Sequence, residues 1–169
     1  TTLFRSGEGG YIGIKINSLT DKVLINKLIE ASQAGVYIDM VVRGICCLRA
    51  GVPDETENIH IISIVGRYLE HSRIYIFGQG ERARYYIGSA DWMTRSTLRR
   101  VEIAAPVTAP ALKARLQHIF DTMLADNCNA RVQQPDGSYV RRMPGADAVD
   151  CQAQFYEEAY QANVHSSLK

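Results

Sequence analysis

The chain has 169 residues, of which 46% are hydrophobic and 22% charged, and its formal net charge is +1 at pH 7. This length and composition are typical of one globular domain with a sizeable core. They exclude a membrane-spanning helix, because no apolar run approaches the ~20 residues that such a helix needs. The nearly neutral charge creates no long-range field for a polyanion, and we expect no nucleic-acid partner.

The first part of the chain predicts a strand, a helix and a second strand. In residues 11–17 (YIGIKIN), isoleucines alternate with Lys15, which is the period of a half-buried strand. A helix over about 20–34 follows, and residues 36–42 (VYIDMVV) form the next strand. This order predicts a βαβ unit with parallel neighbouring strands.

The ends of that helix carry signals of their own. Ser18, with Asp21 three positions later, resembles a capping box at the start of the helix. Gly35 is a suitable C-terminal cap. The apolar stripe by which we expect the helix to pack consists of Val23, Leu24, Leu28, Ile29 and Ala31.

The middle of the chain predicts short strands joined by loops and turns. Residues 43–58 form a loop with glycine and proline, and residues 59–65 (IHIISIV) form a third strand. Residues 66–71 (GRYLEH) are predicted to form one or two helical turns. Residues 73–77 (RIYIF) and 83–88 (ARYYIG) flank a turn of the hairpin type.

The last part of the chain predicts a strand, two helices and a hairpin. Residues 101–107 (VEIAAPV) form a strand closed by a proline, and an amphipathic helix with proline at its first position covers 110–125. Residues 130–142 form a hairpin around Pro-Asp-Gly, and the last helix covers about 147–161. The residues that we expect this last helix segment to bury are Val149, Ala153, Tyr156 and Tyr160.

These elements predict an α/β fold with a mixed sheet flanked by helices. Residues 1–169 are interpreted as a single domain, in which about 130–169 form a C-terminal hairpin and helix annex. No secretory signal is visible at the start of the chain. The chain also lacks an initiator methionine, so we expect a segment of a longer protein. Its four cysteines make neither a CxxC pair nor a repeated disulfide spacing, so we expect reduced thiols in a cytoplasmic protein.

Arg43 stands where the second predicted strand ends. Ligands of open α/β sheets bind beyond the carboxyl ends of the strands, and the planar guanidinium group of arginine matches phosphate oxygens. The position therefore indicates a phosphate clamp. A surface ion pair of Arg43 with Asp39 or Asp54 is the alternative interpretation.

His71 and Arg73 lie two positions apart in a β-prone stretch, and side chains at i and i+2 of a strand share a face. A histidine exchanges protons near neutral pH, and an arginine beside it can hold an anion. The pair therefore indicates a phosphate-handling site. The alternative is the polar side of a half-exposed strand.

A third polar group lies in residues 86–100 (YIGSADWMTRSTLRR). Ser89 offers a hydroxyl donor, and Asp91 can orient an imidazole or pair with an arginine. The arginines that follow, which a solvated face would equally explain, are Arg95, Arg99 and Arg100. The sequence has neither a GxxxxGK[ST] nor a GxGxxG loop, so arginine and histidine side chains would have to bind any phosphate.

The order HxR, hairpin, GSxD resembles the HxK…GSxN half-site of the phospholipase D superfamily, with Arg73 in place of the lysine and Asp91 in place of the asparagine. Longer strings closely resemble the C-terminal domain of bacterial polyphosphate kinases of the first family. They are VRGICCLRAGVP, ENIHIISIVGRYLEHSRIYIF and YIGSADWMTRSTLRRVEI. The similarity extends from about residue 2 to residue 126, and more weakly to the end.

The resemblance implies a phospholipase D-like domain of an enzyme that reversibly transfers the terminal phosphate of ATP to polyphosphate through a phosphohistidine, with Mg²⁺. It places the phosphorylated histidine in a preceding domain that is absent from this chain, facing His71, which matches the catalytic histidine of the second domain. Arg43 and Arg100 match arginines that contact nucleotide phosphates or the transferring group. Further matches in the ATP- and phosphate-binding motifs, with roles less defined, are Arg73, Arg95, Ser89 and Asp91.

The resemblance also implies partners and a location. ATP or ADP and polyphosphate are the expected ligands, the Mg²⁺ ligands lie outside this chain, and the rest of the parent chain completes a homo-oligomeric, cytoplasmic or membrane-associated enzyme. The isolated chain is then expected to be inactive. Two alternatives stay open: a phospholipase D-like phosphodiesterase or nuclease half-site that dimerises, and a non-catalytic polyanion-binding module. The nuclease would retain the lysine and asparagine that Arg73 and Asp91 replace.

Overall fold

A mixed β-sheet organises the computed structural model, which describes residues 10–166. Within that range the strands are β1 (Tyr11–Ile16), β2 (Tyr37–Val42), β3 (Ile59–Ile64), β4 (Ile74–Phe77), β5 (Arg84–Gly88), β6 (Ala104–Val107), β7 (Ala130–Gln133) and β8 (Tyr139–Arg141). The helices are α1 (Lys22–Gln33), α2 (Thr94–Leu98), α3 (Pro110–Ala125) and α4 (Cys151–Ser166). The strands form one sheet in the order β6-β5-β4-β1-β2-β3-β7-β8.

The three central strands β1, β2 and β3 run parallel, and their outer neighbours run antiparallel to them. The helix α1 connects β1 to β2, so the predicted βαβ unit is confirmed, as is the mixed sheet flanked by helices. The predicted helix over 110–125 and the hairpin within 130–142 are also confirmed. Within residues 10–166, no helix is both long and apolar enough to cross a membrane.

Helices cover both faces of the sheet. The helix α1 packs over a core that includes Ile14 and Ile16, whereas α3 and α4 pack on the other face over a core that includes Phe120 and Cys151. Each fully buried isoleucine side chain stabilises the fold by about 1.5–3 kcal/mol. Because β1 lies in the middle of the sheet, the prediction of a half-buried strand is wrong, and Lys15 is only 1% exposed.

The N-cap of α1 is Asp21 rather than Ser18. Oδ1 of Asp21 accepts hydrogen bonds from the backbone N of Val23 (3.0 Å) and of Leu24 (3.1 Å), two donors that the first helical turn leaves unpaired. Val23 is 69% exposed, so it does not belong to the buried stripe. Gly35 follows the end of the helix with φ of 82°, a region that glycine favours, in agreement with its predicted role.

Residues 66–71 are not helical, contrary to the prediction. The side chain of Gln152, in the first turn of α4, binds both backbone polar atoms of Tyr68. Its Oε1 accepts from N of Tyr68 (2.8 Å), and its Nε2 donates to O of Tyr68 (2.8 Å). These bonds satisfy backbone groups that a helix would otherwise pair internally. The strand predicted over 101–107 is also shorter, and its proline lies within β6, an edge strand that tolerates proline.

The last helix begins at Cys151 rather than near residue 147. The buried carboxylate of Asp126 accepts a hydrogen bond from N of Cys151 (3.0 Å) and ties the start of α4 to the end of α3. The helix α4 turns Cys151 and Phe155 toward the core, and the side that carries Ala153, Tyr156 and Tyr160 faces away from it. Tyr156 and Tyr160 are therefore 60% and 55% exposed, and Ala153 is exposed as well, so the prediction that these three are buried is wrong.

Candidate active site

Four segments of the chain meet at the edge of the sheet where β1 and β2 end. Asn17 follows β1 and Arg43 follows β2. Because β4 runs antiparallel to β1, and β5 antiparallel to β4, the residues before β4 and after β5 lie at this same edge. These residues are His71, Arg73 and Asp91. The structure thus brings together four of the residues singled out by the sequence.

Hydrogen bonds join these side chains into one continuous set, which we call the polar array: Arg43, Asn17, Asp91, Arg73 and His71. Nε of Arg43 donates to Oδ1 of Asn17 (3.2 Å), and the backbone N of Asn17 donates to Oδ1 of Asp91 (2.8 Å). Nη2 of Arg73 donates to Oδ2 of Asp91 (3.0 Å). Each member therefore limits the position of the next, so the charges at this edge are held in place before any ligand binds.

Arg73 links the buried part of the polar array to the exposed His71. Its Nη1 lies 3.0 Å from Nδ1 of His71 and donates to the backbone O of His71 at 2.9 Å. Its Nη2 lies 3.3 Å from Nε2 of the same ring, and because an arginine is a donor only, the ring nitrogen without a proton is the one that accepts. The imidazole stands at the exposed rim of the site, where a proton can be exchanged with a ligand.

The ion pair between Arg73 and Asp91 is mostly shielded from water, with side chains 10% and 13% exposed. Partial burial acts to raise the pKa of Asp91. The hydrogen bonds from Arg73 and from N of Asn17, together with the charge of Arg73, outweigh burial and hold this pKa below its usual range. Asp91 is therefore a carboxylate at neutral pH, and it orients an arginine rather than an imidazole.

Sequence reasoning missed two residues of this region, Lys15 and Asn17. Strands of a parallel βαβ unit are buried on both faces, so a charged residue inside β1 was itself the signal for a buried lysine. Asn17 is 3% exposed, and its Nδ2 has no hydrogen-bond partner among residues 10–166. Buried polar groups without partners are rare and often lie at functional sites.

Three predicted site residues lie outside the polar array. Oγ of Ser89 donates to a carboxylate oxygen of Glu102 and accepts from N of Ile103 (3.0 Å), so its hydroxyl is engaged between β5 and β6. Arg95 lies in α2 and Arg100 follows it, and both are exposed. Within the described range, no hydrogen bond or ion pair joins either arginine to the polar array.

A cleft of about 720 Å³ opens beside the polar array. It is lined by His71, Arg73 and Gly88 from the edge of the sheet and by Arg115 and His118 from α3. This volume lies within the usual range of small-molecule sites. Two arginines and two exposed imidazoles give the cleft the chemistry to bind an anion and to exchange a proton with it.

An HxR segment before one strand and a GSxD segment after its hairpin partner lie together at one edge of the mixed sheet. The phospholipase D family member Nuc from Salmonella typhimurium superimposes with a TM-score of 0.54 at 14% identity, covering 83% of this chain and 87% of that one. NucT from Helicobacter pylori gives 0.52 at 12% identity, with coverages of 68% and 78%. The fold is phospholipase D-like.

The sequence profile of the family described as "Polyphosphate kinase C-terminal domain 2" matches residues 1–154. The chain belongs to this polyphosphate kinase family, as the resemblance of its motifs indicated.

Relatives support that assignment over most of the chain. The polyphosphate kinase of Bacillus anthracis is 51% identical over 158 residues, which are 93% of this chain and 22% of that protein. The one from Synechocystis sp. is 55% identical over 141 residues, 83% and 19% respectively. The crystal structure of polyphosphate kinase from Porphyromonas gingivalis gives a TM-score of 0.87 at 38% identity, covering 92% and 24%. The chain thus spans about a fifth to a quarter of the relatives that it matches.

Proposed function

We propose that this chain is the second phospholipase D-like domain of a polyphosphate kinase, an enzyme that reversibly transfers the terminal phosphate of ATP to polyphosphate. Residues 1–169 then form one domain, with 130–169 as its C-terminal annex. The observation that carries the proposal is the polar array, which presents Arg43, Arg73 and His71 at one edge beside a cleft. Relatives named polyphosphate kinase that match most of this chain support it.

In this proposal the phosphoryl group moves between the nucleotide, a phosphohistidine in another domain of the parent chain, and polyphosphate. A transferring phosphoryl group spreads its charge over its oxygens, so positioned arginines stabilise the transition state without covalent chemistry. Arg43 supplies such a donor at the end of β2. His71 exchanges a proton at the bridging oxygen or hydrogen-bonds to the phosphoryl group. Arg95 and Arg100 would reach a ligand held between this domain and the next, and Ser89 would support the turn after β5.

The residues present at this edge do not fit a Mg²⁺ site. Mg²⁺ binds oxygen ligands in an octahedral arrangement. The polar array offers the carboxylate of Asp91, but both of its oxygens already accept hydrogen bonds. Among residues 10–166, no three His, Cys, Asp or Glu side chains are grouped so that they could hold a metal ion. We therefore propose that the Mg²⁺ used by the full-length kinase is held by residues outside this chain.

The wider setting follows from the same proposal. ATP or ADP and polyphosphate are the ligands, the rest of the parent chain is the partner across the cleft, and the full-length enzyme is a cytoplasmic homo-oligomer. A nuclease half-site is the alternative on this fold. The close Arg73–Asp91 ion pair disfavours it, because a lysine and an asparagine in those positions would leave more donors free for a phosphodiester.

Labelling with ATP tests the division of roles between domains. We expect γ-labelled ATP to phosphorylate the full-length kinase outside residues 1–169, because the nucleophilic histidine belongs to another domain. The 169-residue chain alone is expected to stay unlabelled and to make no polyphosphate. Phosphohistidine is labile in acid, so digestion and mass-spectrometric mapping are carried out at alkaline pH. Label recovered on His71 in either protein would overturn the proposed division of roles.

A further inference from the structure

Lys15 lies directly behind the segment that carries His71. It belongs to the central strand β1, and its side chain is almost completely buried although lysine carries a charge. Nζ donates to the backbone O of Glu70 (3.2 Å) and to the backbone O of Ser72 (3.1 Å). These carbonyl groups belong to the two residues next to His71 in the chain. A single ammonium group thus holds the backbone of both neighbours of His71.

The segment over residues 65–73 has no helix or strand of its own to hold His71 in place. Its backbone is instead fixed from two sides by side chains of other elements. Lys15 binds it from β1, and Gln152 binds it from α4 through Tyr68 and through the carboxylate of Glu70 (3.1 Å). The position of the exposed His71 therefore depends on distant side chains rather than on local secondary structure.

A charged lysine at a buried position is unfavourable unless the surrounding groups compensate for lost water. Burial lowers the pKa of Lys15 from its ordinary value of 10.5 to about 8. Among the facing groups, Glu70 and Asp91 raise this pKa, whereas Arg43 and Arg73 lower it. The ammonium form is thus present at neutral pH, next to the two carbonyl groups that it binds, and is lost in mildly alkaline solution.

We propose that Lys15 is a positioning residue for the phosphoryl-transfer step, acting through His71. By binding the carbonyl groups of Glu70 and Ser72, it fixes the backbone of the residues before and after His71 and so holds the imidazole at the reacting phosphoryl group. Lys15 itself touches no substrate. The inference rests on the proposed function, because it assigns to Lys15 the task of holding a histidine that the proposal makes catalytic.

Turnover of four full-length proteins tests this inference: the unaltered kinase, Lys15→Met, His71→Ala and the double variant. Small misplacements of a catalytic group lower rates by up to about a hundredfold, so we expect Lys15→Met to lower kcat by about tenfold to a hundredfold, with little change in KM for ATP. If Lys15 acts through His71, the double variant loses no more activity than His71→Ala alone. Ile14→Val, on the same strand but facing α1, is the matched control, with a lower melting temperature and unchanged kcat.

The pH dependence gives a second readout that a merely structural lysine would not produce. Because folding lowers the pKa of Lys15, the unfolded chain binds more protons between about pH 8 and 10.5, and this group makes the fold more stable as the pH rises there. Turnover is expected to fall as the pH rises through about 8, because the folded protein then loses the ammonium. Lys15→Arg, which keeps its charge, is expected to lack this alkaline loss of kcat. If Lys15→Met does not fold, the pH profiles of kcat for the unaltered kinase and for Lys15→Arg carry the test, and identical alkaline losses in the two would overturn the role of Lys15.

The outcomes separate this inference from the proposed function. Normal kcat in Lys15→Met and Lys15→Arg over the whole pH range, with His71→Ala strongly impaired, would overturn the role of Lys15 alone. A double variant whose fold-loss of kcat equals the product of the two single losses would also overturn the role of Lys15, because Lys15 would then act independently of His71. Normal turnover in His71→Ala would overturn the proposed function itself, and the role of Lys15 with it.

Discussion

In the full-length kinase, Arg43→Ala and His71→Ala are each expected to lower kcat by about a hundredfold to a thousandfold, the usual loss when one fixed donor to a transition-state oxyanion is removed. His71→Ala can exceed this range if proton transfer and phosphate contact are lost together. Steady-state synthesis of polyphosphate from ATP, measured at saturating ATP, provides the comparison. We expect Arg100→Ala to show a similar loss, although Arg100 lies outside the polar array.

Stability is expected to change little in the same variants. His71 is exposed, and exposed substitutions usually change the free energy of unfolding by no more than about 0.5 kcal/mol. Arg43 loses its hydrogen bond to Asn17, which is worth about 1 kcal/mol. Neither change opens a cavity in the core, because both side chains stand beyond the ends of strands. The activity loss is therefore expected without a matching fall in melting temperature.

Arg84→Ala is the matched control for this prediction. Arg84 is also an exposed arginine at one end of a strand. It is the first residue of β5 and pairs with Phe77, so it lies at the opposite edge of the sheet from the polar array. Its removal takes away the same charge, and kcat is expected to stay within about twofold of the unaltered enzyme. Near-normal turnover with a large fall in melting temperature in Arg43→Ala or His71→Ala would show that these residues are structural.

The sequence predicted the strands and the edge of the sheet because these depend on local patterns. Alternating and continuous apolar runs identified β1 to β5, and the βαβ order then indicated that β1 and β2 end at one edge. That order alone assigns Arg43 to this edge, because Arg43 directly follows β2. His71, Arg73 and Asp91 were found through their motifs, which are short and contiguous in the chain.

The parts that the sequence could not predict depend on contacts between distant segments. The βαβ order signals that Lys15 is buried, but its ammonium group binds the segment before β4, and the pattern within 11–17 does not show this contact. Residues 66–71 have the composition of a helical turn, but Gln152, more than eighty positions away, binds their backbone instead. Tyr156 has helical spacing for burial, yet α4 packs by the side that carries Phe155, and Tyr156 lies on the exposed side. In each case a tertiary contact overrides the local preference.

Asp91→Ala is expected to destabilise the fold by about 2–3 kcal/mol and to abolish most activity. Removing one partner of a buried ion pair costs roughly 3–5 kcal/mol, because the other charge stays buried without compensation. We expect a smaller loss of stability for Asp91→Ala because this edge of the sheet is partly open to water. Here the guanidinium of Arg73 would lose its carboxylate, and the backbone N of Asn17 would lose its acceptor. Urea or thermal unfolding of the full-length kinase measures the change.

The free energy of unfolding measured at acid pH tests the same carboxylate of Asp91 independently. Folding lowers the pKa of Asp91, so its contribution is fully present above the unfolded value of about 3.9 and is lost as the pH falls through the lower folded value. Asp91→Asn has no group to titrate there. The variant is expected to be less stable at neutral pH, and the difference from the unaltered protein is expected to shrink below about pH 4.

A double replacement measures the interaction between Arg73 and Asp91 separately from the contribution of each residue. Arg73→Lys with Asp91→Asn installs the lysine and asparagine of the HxK…GSxN pattern and removes the buried carboxylate together with the guanidinium. The double variant is expected to be more stable than Asp91→Asn alone, because no rigid guanidinium faces a missing carboxylate and the asparagine oxygen can still accept from N of Asn17. The coupling free energy between the two positions, taken from the four-protein cycle, is expected to reach about 1 kcal/mol or more. Additive effects would show that Arg73 and Asp91 contribute separately, and the polar array would then lose the link between its buried carboxylate and His71.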